Sequence, residues 1–157
     1  MNELAAKTVN ALGDKGLTVS FAESLTGGLI SSTIVGVPGA SNVFKGSIVS
    51  YTNSVKIDVL GVKPEIINAH TEVSAQCAEE MARGAMRVMD TDIALSVTGI
   101  AGPAGDLPGK PVGTVFMGIA YGDEVTSKRF AFEGDRLAIR ELTCKACLET
   151  ILELLGA

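Results

Sequence analysis

Apolar positions recur along this chain with two different periods, and the switches between them mark its elements. Residues from about 3 to 13 place Leu4, Val9 and Leu12 on roughly one face, which predicts an amphipathic helix flanked by Gly13 and Gly16. Leu17-Thr18-Val19-Ser20-Phe21 alternates apolar and polar residues and predicts a strand. Gly28 to Val35 predicts a helix ending near Gly36, and Ser47 to Tyr51 a second strand. Asn53 or Ser54 is the expected cap of a short helix containing Lys56 and Leu60 and closed by Gly61, and Pro64 opens another helical turn through Ile67. Ser74 is the expected N-cap of a long helix over 74–89, with Cys77, Met81, Ala85 and Val88 on one stripe. Ile93 to Val97 is apolar almost throughout, as a strand covered on both faces must be. A glycine- and proline-rich loop over 98–112 follows, then a strand over 114–120, a tight Gly122-Asp123 turn and a strand over 125–132. Asp135 caps the final helix, with Leu142, Ala146 and Ile151 turned inward. The resulting order, α-β-α-β-α-α-β-β-β-α, predicts an α/β fold: a single three-layer α/β/α domain over 1–157. Its sheet is mixed and mostly parallel, with about five strands.

Composition narrows the class. The 157 residues are 46% hydrophobic, with five Phe, two Tyr and no Trp, so the core is aliphatic and suits helices packed on a sheet. A formal charge of −5 and the lack of a Lys/Arg-rich run argue against long nucleic acid as a partner, while a small anionic ligand remains compatible. No apolar run approaches the ~18 residues of a membrane span. The N-terminal residues lack the layout of a secretory signal. Three cysteines, Cys77, Cys144 and Cys147, give no disulfide framework, and the expected compartment is the reducing cytoplasm. Cys144 and Cys147 fall deep in a helix, where packing rather than redox chemistry is expected, and with a single histidine no metal-ligand set has the right spacing.

Four segments carry candidate chemistry. In Glu23-Ser24-Leu25-Thr26-Gly27-Gly28, a hydroxyl stands at the end of a strand before two glycines and a helix. Ser24 is a candidate nucleophile there, and the Thr26, Gly27 and Gly28 amides a candidate cradle for an oxyanion or a phosphate. In Tyr51-Thr52-Asn53-Ser54-Val55-Lys56, the lysine by itself reads as a surface residue. Should it point toward Ser24, desolvation lowers its pKa and a neutral lysine can take the serine proton, with Tyr51 relaying or orienting it. Ser96 to Pro103 with Lys110 to Thr114 forms a polar rim at strand ends, in which Thr98, Gly99 and Gly102 are candidate ligand contacts and Lys110 either meets an anion or is solvated. Arg136 and Arg140, at i and i+4, fit an exposed helix face, with phosphate contact as the alternative. No Walker loop and no Gly-x-Gly-x-x-Gly fingerprint is present.

Taken in order, these segments resemble the nicotinamide-nucleotide amidase family, which includes the C-terminal domain of the competence-damage protein CinA; the likeness runs from about residue 3 to 155. The resemblance implies a metal-independent amidohydrolase that uses no cofactor and converts nicotinamide mononucleotide to nicotinic acid mononucleotide and ammonia. The family's proposed serine, tyrosine and lysine match Ser24, Tyr51 and Lys56. Contacts to a small nucleotide substrate are expected from Glu23, Thr26, Gly27, Gly28, Asn53, Thr98, Gly99, Gly102, Lys110 and Arg136. The family commonly has cysteine after the serine; Leu25 stands there instead, which leaves Ser24 as the nucleophile this motif offers. A second departure is Gly105-Asp106, where the family often has paired glycines. A homo-oligomer is expected, because a hairpin edge needs covering. The alternative function is a non-catalytic nucleotide-binding or assembly domain that has kept the fold.

Overall fold

The computed structural model describes residues 1–157. Six helices and five strands follow one another in the order expected except that three helices rather than two separate the second strand from the third: α1 (Asn2–Lys15), β1 (Val19–Glu23), α2 (Leu29–Val35), β2 (Phe44–Val49), α3 (Asn53–Asp58), α4 (Pro64–His70), α5 (Ala75–Met89), β3 (Ile93–Gly99), β4 (Thr114–Tyr121), β5 (Glu124–Ala131) and α6 (Arg136–Leu155). A single 3₁₀ turn, Ala40–Asn42, precedes β2. The sheet order is β2-β1-β3-β4-β5; β1 pairs parallel with β2 and β3, and β4 is antiparallel to both its neighbours. Four strands therefore share one direction, and β4 alone is reversed.

The layers follow from alternation along β1. Val19 and Phe21 face a core built with α1, α2 and α6, whereas Ala22 faces a second core built with α5 and the segment after α3. This is the three-layer α/β/α sandwich. Ser74 and Asp135 act as the N-caps expected of them, accepting from the Cys77 and Ala138 amides at 3.1 and 2.8 Å. Gly84 of α5 has no room for a side chain: a Cβ there would stand 2.0 Å from the Leu60 carbonyl oxygen. That close approach seats the segment leaving α3 against α5.

Several boundaries differ from expectation. β1 runs through Glu23, and β2 occupies Phe44–Val49 rather than 47–51, because the β1 ladder sets its register from Val19↔Phe44 to Glu23↔Val49. Tyr51 thus lies outside the strand. Thr52, whose hydroxyl meets that of Ser54 at 3.0 Å but caps no backbone amide, precedes α3 in place of the Asn53 or Ser54 cap. β3 extends through Thr98 and Gly99 into the expected loop. Val88 is exposed, since Met89 turns inward instead and its sulfur packs over Gly46. Leu142 is exposed as well; the inward stripe of α6 passes through Thr143, whose hydroxyl donates to the Ile139 carbonyl at 2.7 Å.

Candidate active site

The parallel register brings three chain ends together. Glu23 pairs with Val49 on one side and Val97 on the other, so Ser24, Ser50 and Thr98 stand side by side at the carboxyl end of the parallel strands. The chain runs from β1 to β2 on one side and then to β3 on the other, and such a switch point opens a crevice at the carboxyl ends of the strands. A cavity of about 420 Å³ lies there, lined by Ser24, Leu25, Lys56, Glu72, the Thr98–Gly102 segment and Arg136 among others. Its size is that of small-molecule sites.

Glu23 and Ser24 point to opposite tasks. The fully buried Glu23 carboxylate accepts from the Gly28, Ile30 and Ser31 amides at 3.0, 3.1 and 2.9 Å, and from the hydroxyls of Ser31 and Ser47. The Leu29 amide donates to the Thr26 carbonyl, and the Gly27 amide to the Ser24 carbonyl. All first-turn donors of α2 are therefore consumed inside the protein, and Thr26, Gly27 and Gly28 do not line the cavity. Glu23 is a buried cap for the turn, not a substrate contact. The turn is held from above by Arg140, which donates to the Leu25 and Thr26 carbonyls at 3.0 Å each. Arg140 thus braces the Ser24 turn rather than lying on an exposed face.

Lys56 is 1% exposed and Ser24 7%. The Lys56 Nζ lies 3.1 Å from Ser24 Oγ, 2.8 Å from the Ser50 carbonyl oxygen and 3.4 Å from that of Tyr51. No carboxylate pairs with it. Burial is the largest influence on this lysine and holds its pKa below 10.5, with a smaller opposing pull from Cys77 and Glu72. A neutral amine has two N–H bonds and one lone pair. In that form of Lys56 the two carbonyls would take the N–H bonds and leave the lone pair for the Ser24 hydroxyl, whereas the ammonium donates to all three oxygens. Cys77, buried nearby, is no competing nucleophile: burial pushes its thiol up to about 11.

The rim places the remaining candidates. Tyr51 is 59% exposed; it meets Lys56 through its carbonyl, while its hydroxyl accepts from Arg136 Nη2 at 3.2 Å. Its ring is a wall of the cavity, steered by Arg136, and not a relay to the amine. Arg136 also donates to the Gly102 carbonyl at 2.7 Å, so it braces the loop after β3 and lines the cavity mouth while remaining exposed to solvent, as its helix face predicts. Asn53, Thr98 and Gly99 line the cavity as expected. Gly99 must be glycine, since a Cβ would stand 2.6 Å from the Thr114 carbonyl oxygen. Lys110 does not line it: its Nζ donates to the His70 carbonyl and the Thr71 hydroxyl and ties down the loop between α4 and α5. The Leu25, Ala101 and Gly102 amides donate to no protein acceptor, although all three residues line the cavity. Two further features carried no sequence signal: the buried Ser50 carbonyl that holds Lys56, a backbone group, and Glu72, which lines the cavity and belongs to no motif.

Residues 1–155 match the family model of the CinA C-terminal domain. A CinA-like protein of Dictyoglomus turgidum is 52% identical over 135 residues, which is 86% of this chain and 33% of the relative. A CinA-like protein of Thermotoga maritima is 44% identical over 143 residues, 91% of this chain and 35% of the relative. The chain thus spans about a third of the length of these curated relatives. Among solved structures, a CinA superfamily protein from Klebsiella pneumoniae superposes with a TM-score of 0.96 at 28% identity, covering 99% of this chain and 97% of that one. The competence/damage inducible protein CihA of Agrobacterium tumefaciens gives 0.93 at 37% identity, covering 99% and 95%. In sequence, in element order and in tertiary structure, this chain belongs to the CinA C-terminal domain family.

Proposed function

We propose that this chain hydrolyses the carboxamide of nicotinamide mononucleotide, releasing ammonia and nicotinic acid mononucleotide. The observation that carries this reading is the buried, carboxylate-free Lys56, whose Nζ lies 3.1 Å from Ser24 Oγ at the floor of the cavity. Neutral Lys56 takes the Ser24 proton as Oγ attacks the carboxamide carbon. The resulting oxyanion is met by the free amide of Leu25, the residue after the nucleophile, and by those of Ala101 and Gly102 across the cavity. The Lys56 ammonium returns its proton to the departing nitrogen, and ammonia leaves. Water then attacks the Ser24 ester with Lys56 again as base, the acid departs, and Ser24 regains its proton. At the mouth, Arg136 supplies the cationic side chain for the nucleotide phosphate. With Leu25 packed in the larger core, the serine is the only nucleophile this turn offers.

Ammonia release measured over a panel of carboxamides tests the reading. The expected preference is for the phosphorylated nucleoside over the nucleoside and the free base. Thermal stabilisation by the nucleotide without any turnover would instead establish a binding domain.

A further inference from the structure

The cavity carries a charge that the hydrolytic steps do not use. Three ionisable side chains that are charged in water line it: Lys56, Arg136 and Glu72. Lys56 is desolvated and serves as the neutral base, and Arg136 is held by Tyr51 and Gly102. The half-buried Glu72 takes part in none of the chain's ion pairs. Its position is fixed through the backbone: Thr98 donates its hydroxyl to the Glu72 carbonyl at 2.8 Å, and Lys110 ties down the preceding Thr71, whose φ is +67°. It lines the same cavity as Ser24 and Lys56, and its charge pulls the Lys56 pKa upward against the larger effect of burial. An unpaired carboxylate in a ligand cavity is costly to desolvate unless the ligand supplies a cation.

We infer that Glu72 is a specificity residue that selects carboxamides borne on a cationic ring, such as a pyridinium, over the same carboxamide on a neutral ring. This rests on the amidase reading and extends it to the substrate's charge pattern, with the cation near the scissile bond facing Glu72 and the anion near Arg136. A pair of opposite unit charges about 6 Å apart in a half-wet cleft contributes roughly tenfold in affinity.

The test uses nicotinamide mononucleotide and its 1,4-dihydro form, which differ in ring charge and little in shape. Dissociation constants are measured by calorimetry on a Ser24→Ala background, and kcat/KM on the Ser24 protein, each with Glu72, Glu72→Gln and Glu72→Asp. Glu72→Gln is expected to weaken binding of the pyridinium form roughly tenfold and leave the dihydro form unchanged, and Glu72→Asp to keep the preference. Equal loss for both ligands, or no loss for either, overturns the inference. The ratio also separates selection from an indirect effect on Lys56, which would alter turnover of both ligands alike. Should the Ser24 protein release no ammonia while the affinity ratio still collapses in Glu72→Gln, the amidase reading falls and the Glu72 assignment stands. Binding of neither ligand overturns both.

Discussion

Replacing Glu23 by glutamine isolates the chemistry of the nucleophile turn, because the two side chains share a shape. One carboxylate oxygen accepts from the Gly28 and Ile30 amides, and the other from the Ser31 amide and the Ser31 and Ser47 hydroxyls. A glutamine has one oxygen to offer. Its better orientation keeps that oxygen on Gly28 and Ile30 and turns the NH₂ toward Ser31 and Ser47, whose hydroxyls can rotate to accept. The Ser31 amide cannot rotate and is left unsatisfied, at a cost of about 1–3 kcal/mol. The two surviving amide bonds lose their charge assistance, roughly a further 1 kcal/mol in total. Relief from burying a charge works in the opposite direction, so the expected net destabilisation is about 1–3 kcal/mol. For a chain of this size that is a fall of about 2–12 °C in Tm, readable by calorimetry. Activity should fall too, because α2 and the Ser24 turn share this anchor. A loss below about 1 kcal/mol, or a gain, would refute the cap.

Other consequences follow from the same geometry. Gly84→Ala forces a Cβ into the Leu60 carbonyl, so a destabilisation of about 3 kcal/mol or more is expected, together with lost turnover, since α3 carries Lys56; an unchanged Tm would contradict the packing. Arg140→Met should lower kcat with little change in KM, because Arg140 holds the Leu25 and Thr26 carbonyls and touches no substrate; a pure KM effect would reassign it to binding. Turnover should rise with pH as Lys56 deprotonates, along a limb lying below 10.5; Glu72→Gln should move that limb lower still, because removing a negative charge disfavours the ammonium. Stability carries the matching sign. Between the lowered pKa of Lys56 and 10.5, the unfolded chain holds the proton and the native chain does not, so this lysine's contribution to stability rises with pH across that window. The difference in unfolding free energy between the native chain and Lys56→Met should change with pH there, and a flat difference would mean the lysine is not desolvated.

The element order was legible because periodicity and caps are local: Ser74 and Asp135 announce their helices, and the apolar Ile93–Val97 run announces a covered strand. Ser24 at a strand end was legible for the same reason. What stayed hidden depends on contacts between distant segments. Whether Lys56 is a surface cation or a buried amine is decided by strand register and by the Ser50 carbonyl, neither of which a short helix spells out. Glu23 looked like a site residue, since nothing local tells a carboxylate facing a ligand from one facing three amides. Arg140 and Lys110 both depart from the places expected of them: the arginine reaches back to residue 25, while the lysine is spent on the loop at residues 70 and 71. Glu72 sits between two helices in no motif, and only the fold brings it to the cavity.

The coupling of Ser24 to a neutral Lys56 is tested most directly by ammonia release from nicotinamide mononucleotide, measured as kcat/KM for the native chain, Ser24→Ala and Lys56→Ala. The expected result is turnover by the native chain, a loss of about 10²–10⁴ in Lys56→Ala and at least as large a loss in Ser24→Ala. Full activity in Ser24→Ala would contradict the serine nucleophile, and full activity in Lys56→Ala would contradict the lysine base.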